Sequence, residues 1–220
     1  MRAFLAAAVI ATAASLAATS GHATQPLPPN SPTQASEARI DGFRSAHFGM
    51  TEVAVRQAIA NDFHLSGAAV ISAENPVQRT AVLRIRTADL IPDGGSAQID
   101  YIFGYRSRAL IEVNILWSAA TDAKITPALL VTDGATLQAY FEKQLFAPDQ
   151  TVTNGILPDG SVLLFRTRDA AGHAVVLILT GRRANLTKDA SRQLTPTALS
   201  LVYAVAPAHP DVFQLKKGSF

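Results

Sequence analysis

Short runs of alternating apolar and polar residues, joined by turn sequences, dominate this chain and restrict the folds open to it. The clearest pair covers residues 97–103 and 109–117, which are separated by a loop of hairpin length. Ile99, Tyr101 and Phe103 share one face of the first run, and Ile111, Val113, Ile115 and Trp117 share one face of the second. Side chains at every second residue of a strand point to the same side. Because no strand is followed by a glycine-rich crossover, the sequence favours an antiparallel sheet.

Two stretches carry the spacing of an amphipathic helix. Thr51 is a good N-cap for a helix with Val55, Ile59 and Phe63 on one face. Thr132 or Asp133 is expected to cap a second helix with Leu137, Phe141 and Leu145 at the same spacing. The predicted fold class is therefore α+β, an antiparallel sheet with two helices packed on it.

The order of these signals is similar in the two halves of the chain. Further strands are expected at residues 69–71, 81–87, 151–153, 162–167, 174–180 and 198–205, with Pro-Asp-Gly turns at Pro92 and Pro158. Two similar αβ halves, 40–125 and 126–220, are one interpretation, and the other is that common turn chemistry has been used twice. Residues 175–178 are apolar at every position, which predicts a central strand covered on both sides.

The N-terminus has the organisation of a secretory leader. Arg2 is followed by an alanine-rich apolar run, and Gly21-His22-Ala23 supplies the small residues of a cleavage site. We expect a signal peptide over 1–23, a Pro-rich linker over 24–39 and a single α+β domain over 40–220. The run is too short for a typical membrane span, and no second one follows. The expected location is periplasmic or secreted, with no membrane span in the mature chain.

Composition and local motifs exclude several chemistries. The absence of cysteine removes disulfides, thiol nucleophiles and Cys-ligated metals. A net charge of +2, without a concentrated basic face, argues against nucleic acid as a partner. The histidines, which are His22, His47, His64, His173 and His209, form no metal-binding motif, and no nucleophile elbow is present. We therefore assign no catalytic, cofactor-binding or metal-binding residue and expect no cofactor. His173 is expected to be solvated in a hairpin turn.

One group of charges has two interpretations. Arg84 and Arg86 share a strand face, and Asp100 and Glu112 lie on later strands. The set could bind an anion, but cross-strand ion pairing is the simpler interpretation.

The segment Phe48-Gly49-Met50-Thr51-Glu52-Val53-Ala54-Val55-Arg56-Gln57-Ala58-Ile59 resembles the helix opening of outer-membrane-assembly proteins of the SmpA/BamE type. It resembles over more positions a group of uncharacterised exported proteins of alphaproteobacteria. The first resemblance covers about a dozen residues and implies a periplasmic α+β module that works by binding. The lipid-anchoring cysteine and the closing Leu-Gly-x-Pro of that family are absent here. Glycine entry, threonine capping and an apolar stripe also give the motif a structural explanation.

These observations favour an exported, non-enzymatic binding or protein-interaction module, with another envelope protein as an expected partner. Two alternatives stay open: a hydrolase whose site is assembled in space, and an inhibitor or immunity-type protein. A cleft with convergent His, Asp or Ser would favour the hydrolase. The expected core includes Ile59, Phe103, Trp117, Phe141, Phe165 and Leu177.

Overall fold

A computed structural model describes residues 38–88, 90–183, 194–215 and 218. The predicted signal peptide and all but the last two residues of the predicted linker lie outside these ranges. The elements, in chain order, are β1 Gly42–Phe43, β2 Ala46–His47, α1 Glu52–Phe63, β3 Ile71–Asn75, β4 Thr80–Thr87, β5 Ala97–Phe103, β6 Leu110–Ser118, α2 Pro127–Glu142, β7 Val152–Ile156, β8 Val162–Arg168, β9 Ala174–Arg183 and β10 Leu194–Ala204.

Within the described residues, β3–β10 form one antiparallel sheet of eight strands in the order β3-β4-β5-β6-β10-β9-β8-β7, and β1 and β2 form a separate pair. The predicted α+β class is confirmed. Each helix precedes four consecutive strands, and the two sets of strands join at β6 and β10. There Trp117 pairs with Leu199 and Ile115 with Leu201. We call this junction the seam.

Both helices contribute to one core on the same side of the sheet. We call this side the covered face, and the opposite side, which neither helix covers, the open face. The expected core is confirmed, because its six residues are all buried: Ile59, Phe103, Trp117, Phe141, Phe165 and Leu177.

The first helix follows its sequence signals closely. The Thr51 hydroxyl accepts a hydrogen bond from the Ala54 amide at 3.4 Å, so the predicted N-cap is present. Gly49 has a φ of +85°, a conformation that side chains disfavour. Arg56 pairs with Glu52 at 2.9 Å and donates to the Ser72 hydroxyl at 2.6 Å. The motif at this helix opening therefore has structural roles in cap, turn and helix-to-strand contact.

The predicted start of the second helix is wrong. The helix begins at Pro127, whose fixed φ suits the first turn, and Thr126 caps it by accepting from the Leu129 amide at 3.2 Å. Asp133 lies inside the helix and is only 2% exposed. A Cβ on Gly94 would lie 3.1 Å from both Asp133 carboxylate oxygens, so this turn packs directly on the helix. Leu145 falls beyond the helix end and is 58% exposed.

Irregular pairing moves several residues from their predicted places. A register shift between β5 and β6 pairs Phe103 with Leu110, which is fully buried, whereas Ile111 is only partly buried. The strand expected over 69–71 is β3, which begins at Ile71 after a short 3-10 turn.

The prediction that residues 175–178 are covered on both sides is also wrong. Val175 and Leu177 are buried on the covered face, and Val176 and Ile178 are partly exposed on the open face. The strand is nevertheless internal to the sheet, between β8 and β10.

Candidate ligand-binding cavity

A cavity of about 500 Å³ lies on the covered face above the seam. Its floor comes from β6 and β10, one wall comes from α2, and the opposite wall comes from residues 38–44, which we call the strap. Its volume is within the range of small-molecule sites. The cavity is therefore a candidate ligand-binding site.

The floor is apolar because of strand register. Ile115 and Trp117 are two residues apart on β6, and Leu201 and Tyr203 are two residues apart on β10, so all four side chains face the helices. The C-terminal part of α2 adds Leu137 and Phe141 to the wall. Phe141 stacks on Phe165 with ring centroids 5.3 Å apart, which fixes this end of the helix on the sheet.

Trp117 places an unused hydrogen-bond donor in this apolar setting. The residue is 1% exposed and its indole Nε1 has no hydrogen-bond partner among the described residues. Buried indole N–H groups usually have a partner. Three other buried atoms also have no hydrogen-bond partner among the described residues: Thr80 Oγ1, Tyr101 Oη and Asp133 Oδ2. Of these four residues, only Trp117 lines the cavity. The Trp117 Nε1 atom itself is buried, so an acceptor on a bound molecule reaches this donor only when the indole ring shifts.

Tyr203 adds a phenol between two aromatic rings. Its ring centroid lies 5.7 Å from that of Phe43 and 6.4 Å from that of Phe141, so it bridges the strap and α2. Burial, and secondarily the Tyr140 phenol, raises the pKa of Tyr203 above that of free tyrosine. The group therefore stays neutral at physiological pH and offers both a donor and an acceptor.

The strap is held through its backbone. The Ile40 amide donates to Asp169 Oδ2 at 2.9 Å, and the Ile40 carbonyl lies 2.6 Å from His173 Nδ1. The Ala38 amide donates to the Leu145 carbonyl at 2.9 Å. The prediction that His173 is solvated is therefore wrong, because this imidazole lies against the strap and packs edge-on to Phe48 at 5.2 Å. The wall of the cavity is thus tied to the β8–β9 turn.

The rim carries Arg39 and Arg44, both exposed. Neither has a carboxylate within ion-pairing distance in the described part of the chain. The rim therefore carries two positive charges that no ion pair among the described residues neutralises.

The charged set predicted from the sequence lies elsewhere, on the open face. Arg84 Nε and Nη2 each bind one carboxylate oxygen of Asp100 at 2.7 Å, so cross-strand pairing is confirmed for these two residues. Glu112 lies on β6 opposite Ile102, and burial raises the pKa of its carboxyl. Arg86 is exposed on β4 opposite Gln98. Among the described residues, no ion pair joins Arg86 or Glu112 to the Arg84–Asp100 pair.

The cavity offers little for hydrolysis. The described residues that line it include no serine, histidine, aspartate or glutamate, so no nucleophile and base converge there. Within the described ranges, no group of three or more His, Asp or Glu side chains could hold a metal ion. None of the helices in those ranges is long and apolar enough to cross a membrane.

Sequence reasoning identified Trp117 and Phe141 as core residues but did not find the cavity. Its residues come from six separate segments, and no local pattern connects them. The one signal in the sequence was the single tryptophan, a residue often placed where an apolar body and a polar atom are both needed.

Comparisons with known proteins identify no relative. No protein-family model matches the chain, and searches of curated proteins and of solved structures found no significant match.

Proposed function

We propose that this chain is an exported, non-enzymatic binding protein that holds one small molecule in the cavity above the seam. The observation that carries the proposal is Trp117, a buried indole donor without a partner that lines an apolar cavity of about 500 Å³. An unsatisfied buried donor costs about 1–3 kcal/mol. A ligand with an apolar body and a hydrogen-bond acceptor would recover part of that cost if the indole ring shifts toward it.

Ligand binding in the cavity can be tested with the fluorescence of Trp117, because this residue is the only tryptophan in the chain. We suggest titrating the purified protein with prodan, a neutral naphthalene dye with a ketone acceptor whose absorption overlaps tryptophan emission. Binding above the seam predicts saturable energy transfer from Trp117 to the dye. Absence of transfer at saturating dye would contradict the proposal.

A matched pair of variants on α2 locates the dye. Leu137 lines the cavity and is partly buried, whereas Val131 is 50% exposed on the same helix and does not line it. Leu137→Phe fills part of the cavity and should weaken prodan binding about tenfold, while Val131→Phe should leave it unchanged. Equal effects of the two variants would place the dye elsewhere.

Export is a separate part of the proposal and rests on the leader-like N-terminus. Cleavage after Ala23 predicts that the mature chain begins at Thr24. Sequencing the N-terminus of protein from the periplasm or medium tests this. Recovery of the chain with Met1 in the membrane fraction would contradict export as a cleaved protein.

A further inference from the structure

We propose that the ligand is an amphipathic anion, with an apolar body in the cavity and a carboxylate or comparable anionic head bound at the rim by Arg39 and Arg44. This inference rests on the proposed function and specifies the chemical class of ligand.

The first argument is charge complementarity. Arg39 and Arg44 are the charged residues among the described residues that line the cavity, and no acidic side chain lines it. A cationic head would meet two positive charges at the rim, and a neutral head would leave both without a counter-charge. An anion complements the site.

The second argument is that Arg44 is held in place at the rim. Its guanidinium carbon lies 4.5 Å from the Phe63 ring centroid and 5.7 Å from that of Phe43. Its Nη1 donates to the Asp62 carbonyl at 3.3 Å. A side chain fixed by these contacts loses less freedom when it binds a ligand.

Arg44 also keeps hydrogen-bonding capacity. A guanidinium has five N–H donors, and the Asp62 carbonyl takes one of them. The carboxylate of the same Asp62 accepts from the Ser45 hydroxyl at 2.6 Å and from the Ser45 amide at 3.0 Å, and the Asp41 carboxylate lies 3.4 Å from His47 Nδ1. The remaining Arg44 donors suit the paired oxygens of a carboxylate or phosphate.

The third argument concerns the interior. Ile115, Leu201 and Phe141 give an apolar wall below the charged rim, so the site is polar at one end and apolar at the other. A freely soluble small anion would leave this wall without a partner, and a pure hydrocarbon would leave the arginines without one. An amphipathic anion satisfies both ends.

The test is displacement of prodan by probes that share a twelve-carbon chain and differ in the head. Dodecanoate, dodecyl phosphate, dodecan-1-ol and dodecyltrimethylammonium would each be used below their micelle concentrations. We expect the two anions to displace the dye at about tenfold lower concentration than the alcohol, and the ammonium probe to be weakest. The two anionic probes distinguish a carboxylate ligand, such as a free fatty acid, from a phosphate head.

The variants include a matched control. Arg39→Gln/Arg44→Gln should bring dodecanoate to within about twofold of the alcohol, with both probes compared against the prodan affinity of the same variant. Arg79 resembles Arg44, since it has the same φ of 53° and lies 3.9 Å from the Phe213 ring centroid, but it does not line the cavity. Arg79→Gln should keep the full preference for anions, whereas Arg39→Lys/Arg44→Lys, which retains the charge but loses the paired guanidinium donors, should keep only part of it.

The outcomes separate this inference from the proposed function. Equal displacement by all four probes, with energy transfer from Trp117 intact, would overturn the anionic ligand and leave the binding function standing. Loss of the anion preference in Arg79→Gln as well as in the rim variant would also overturn it. If prodan does not bind near Trp117 at all, the proposed function itself is wrong.

Discussion

The covered and open faces of the sheet carry similar alternation in sequence but have different environments. On β9, Val175 and Leu177 are at most 1% exposed, while their neighbours Val176 and Ile178 are partly exposed. All four are apolar. Alternation therefore assigns residues to two faces, and the position of the helices decides which face becomes the core.

The largest expected difference between the faces is in core packing. Phe165→Ala removes a ring buried against Phe141 and should lower the free energy of unfolding by about 3–5 kcal/mol. Ile178→Ala, on the open face, should cost about 1 kcal/mol because the side chain is partly exposed. Urea unfolding of both variants measures this. An Ile178→Ala loss as large as that of Phe165→Ala would mean that the open face is buried after all.

A smaller loss of stability, of similar size in both helices, is expected when their N-caps are removed. Thr51→Ala and Thr126→Ala each remove an N-cap oxygen, so each should cost about 1 kcal/mol. Melting temperatures at one pH are sufficient to check this. A negligible loss in both variants would show that the caps are not what fixes the helix starts.

The last comparison concerns how the free energy of unfolding changes with pH, rather than its loss at a single pH. Burial raises the pKa of Asp133, on α2, and of Glu112, on the open face. A raised folded-state pKa means that the folded protein retains its proton where the unfolded chain has lost it. The associated stability is fully present below the unfolded pKa, about 3.9 for Asp and 4.3 for Glu, and is lost as pH rises through the raised value.

Asp133→Asn and Glu112→Gln should therefore each reduce the fall in unfolding free energy between pH 4 and pH 7. Urea unfolding at several pH values in this window measures the slope. Glu74 is exposed on β3, so Glu74→Gln serves as a control without a buried carboxyl. An unchanged slope in Asp133→Asn would contradict the account of this residue.

The fold was largely predictable because its signals are local. Three predictions that depend on residues close in sequence are confirmed: the Thr51 N-cap, the buried stripe of Val55 and Ile59, and the β5–β6 hairpin. The start of α2 was missed because Thr126 and Pro127 precede a stretch in which Asp133 and Gly134 mimic a helix boundary. Their burial depends on contacts with the Gly94 turn and with Leu164, which no local pattern reveals.

The cavity could not be predicted because it depends on tertiary placement. Trp117, Tyr203 and Tyr140 lie on different elements, and Arg44 reaches the rim through its stacking on Phe63. Arg39 belonged to the expected linker and Arg44 to the expected beginning of the fold. Their joint position above the seam follows only from the strap being tied to Asp169 and His173.

The central claim, that a ligand binds on the covered face beside Trp117, is tested most directly by NMR. With one tryptophan in the chain, a ¹⁵N–¹H spectrum contains a single indole N–H signal. Addition of dodecanoate below its micelle concentration should shift that signal and slow its exchange with solvent, while the amides of Val176 and Ile178 stay in place. An unmoved indole signal, with shifts confined to the open face, would contradict the account.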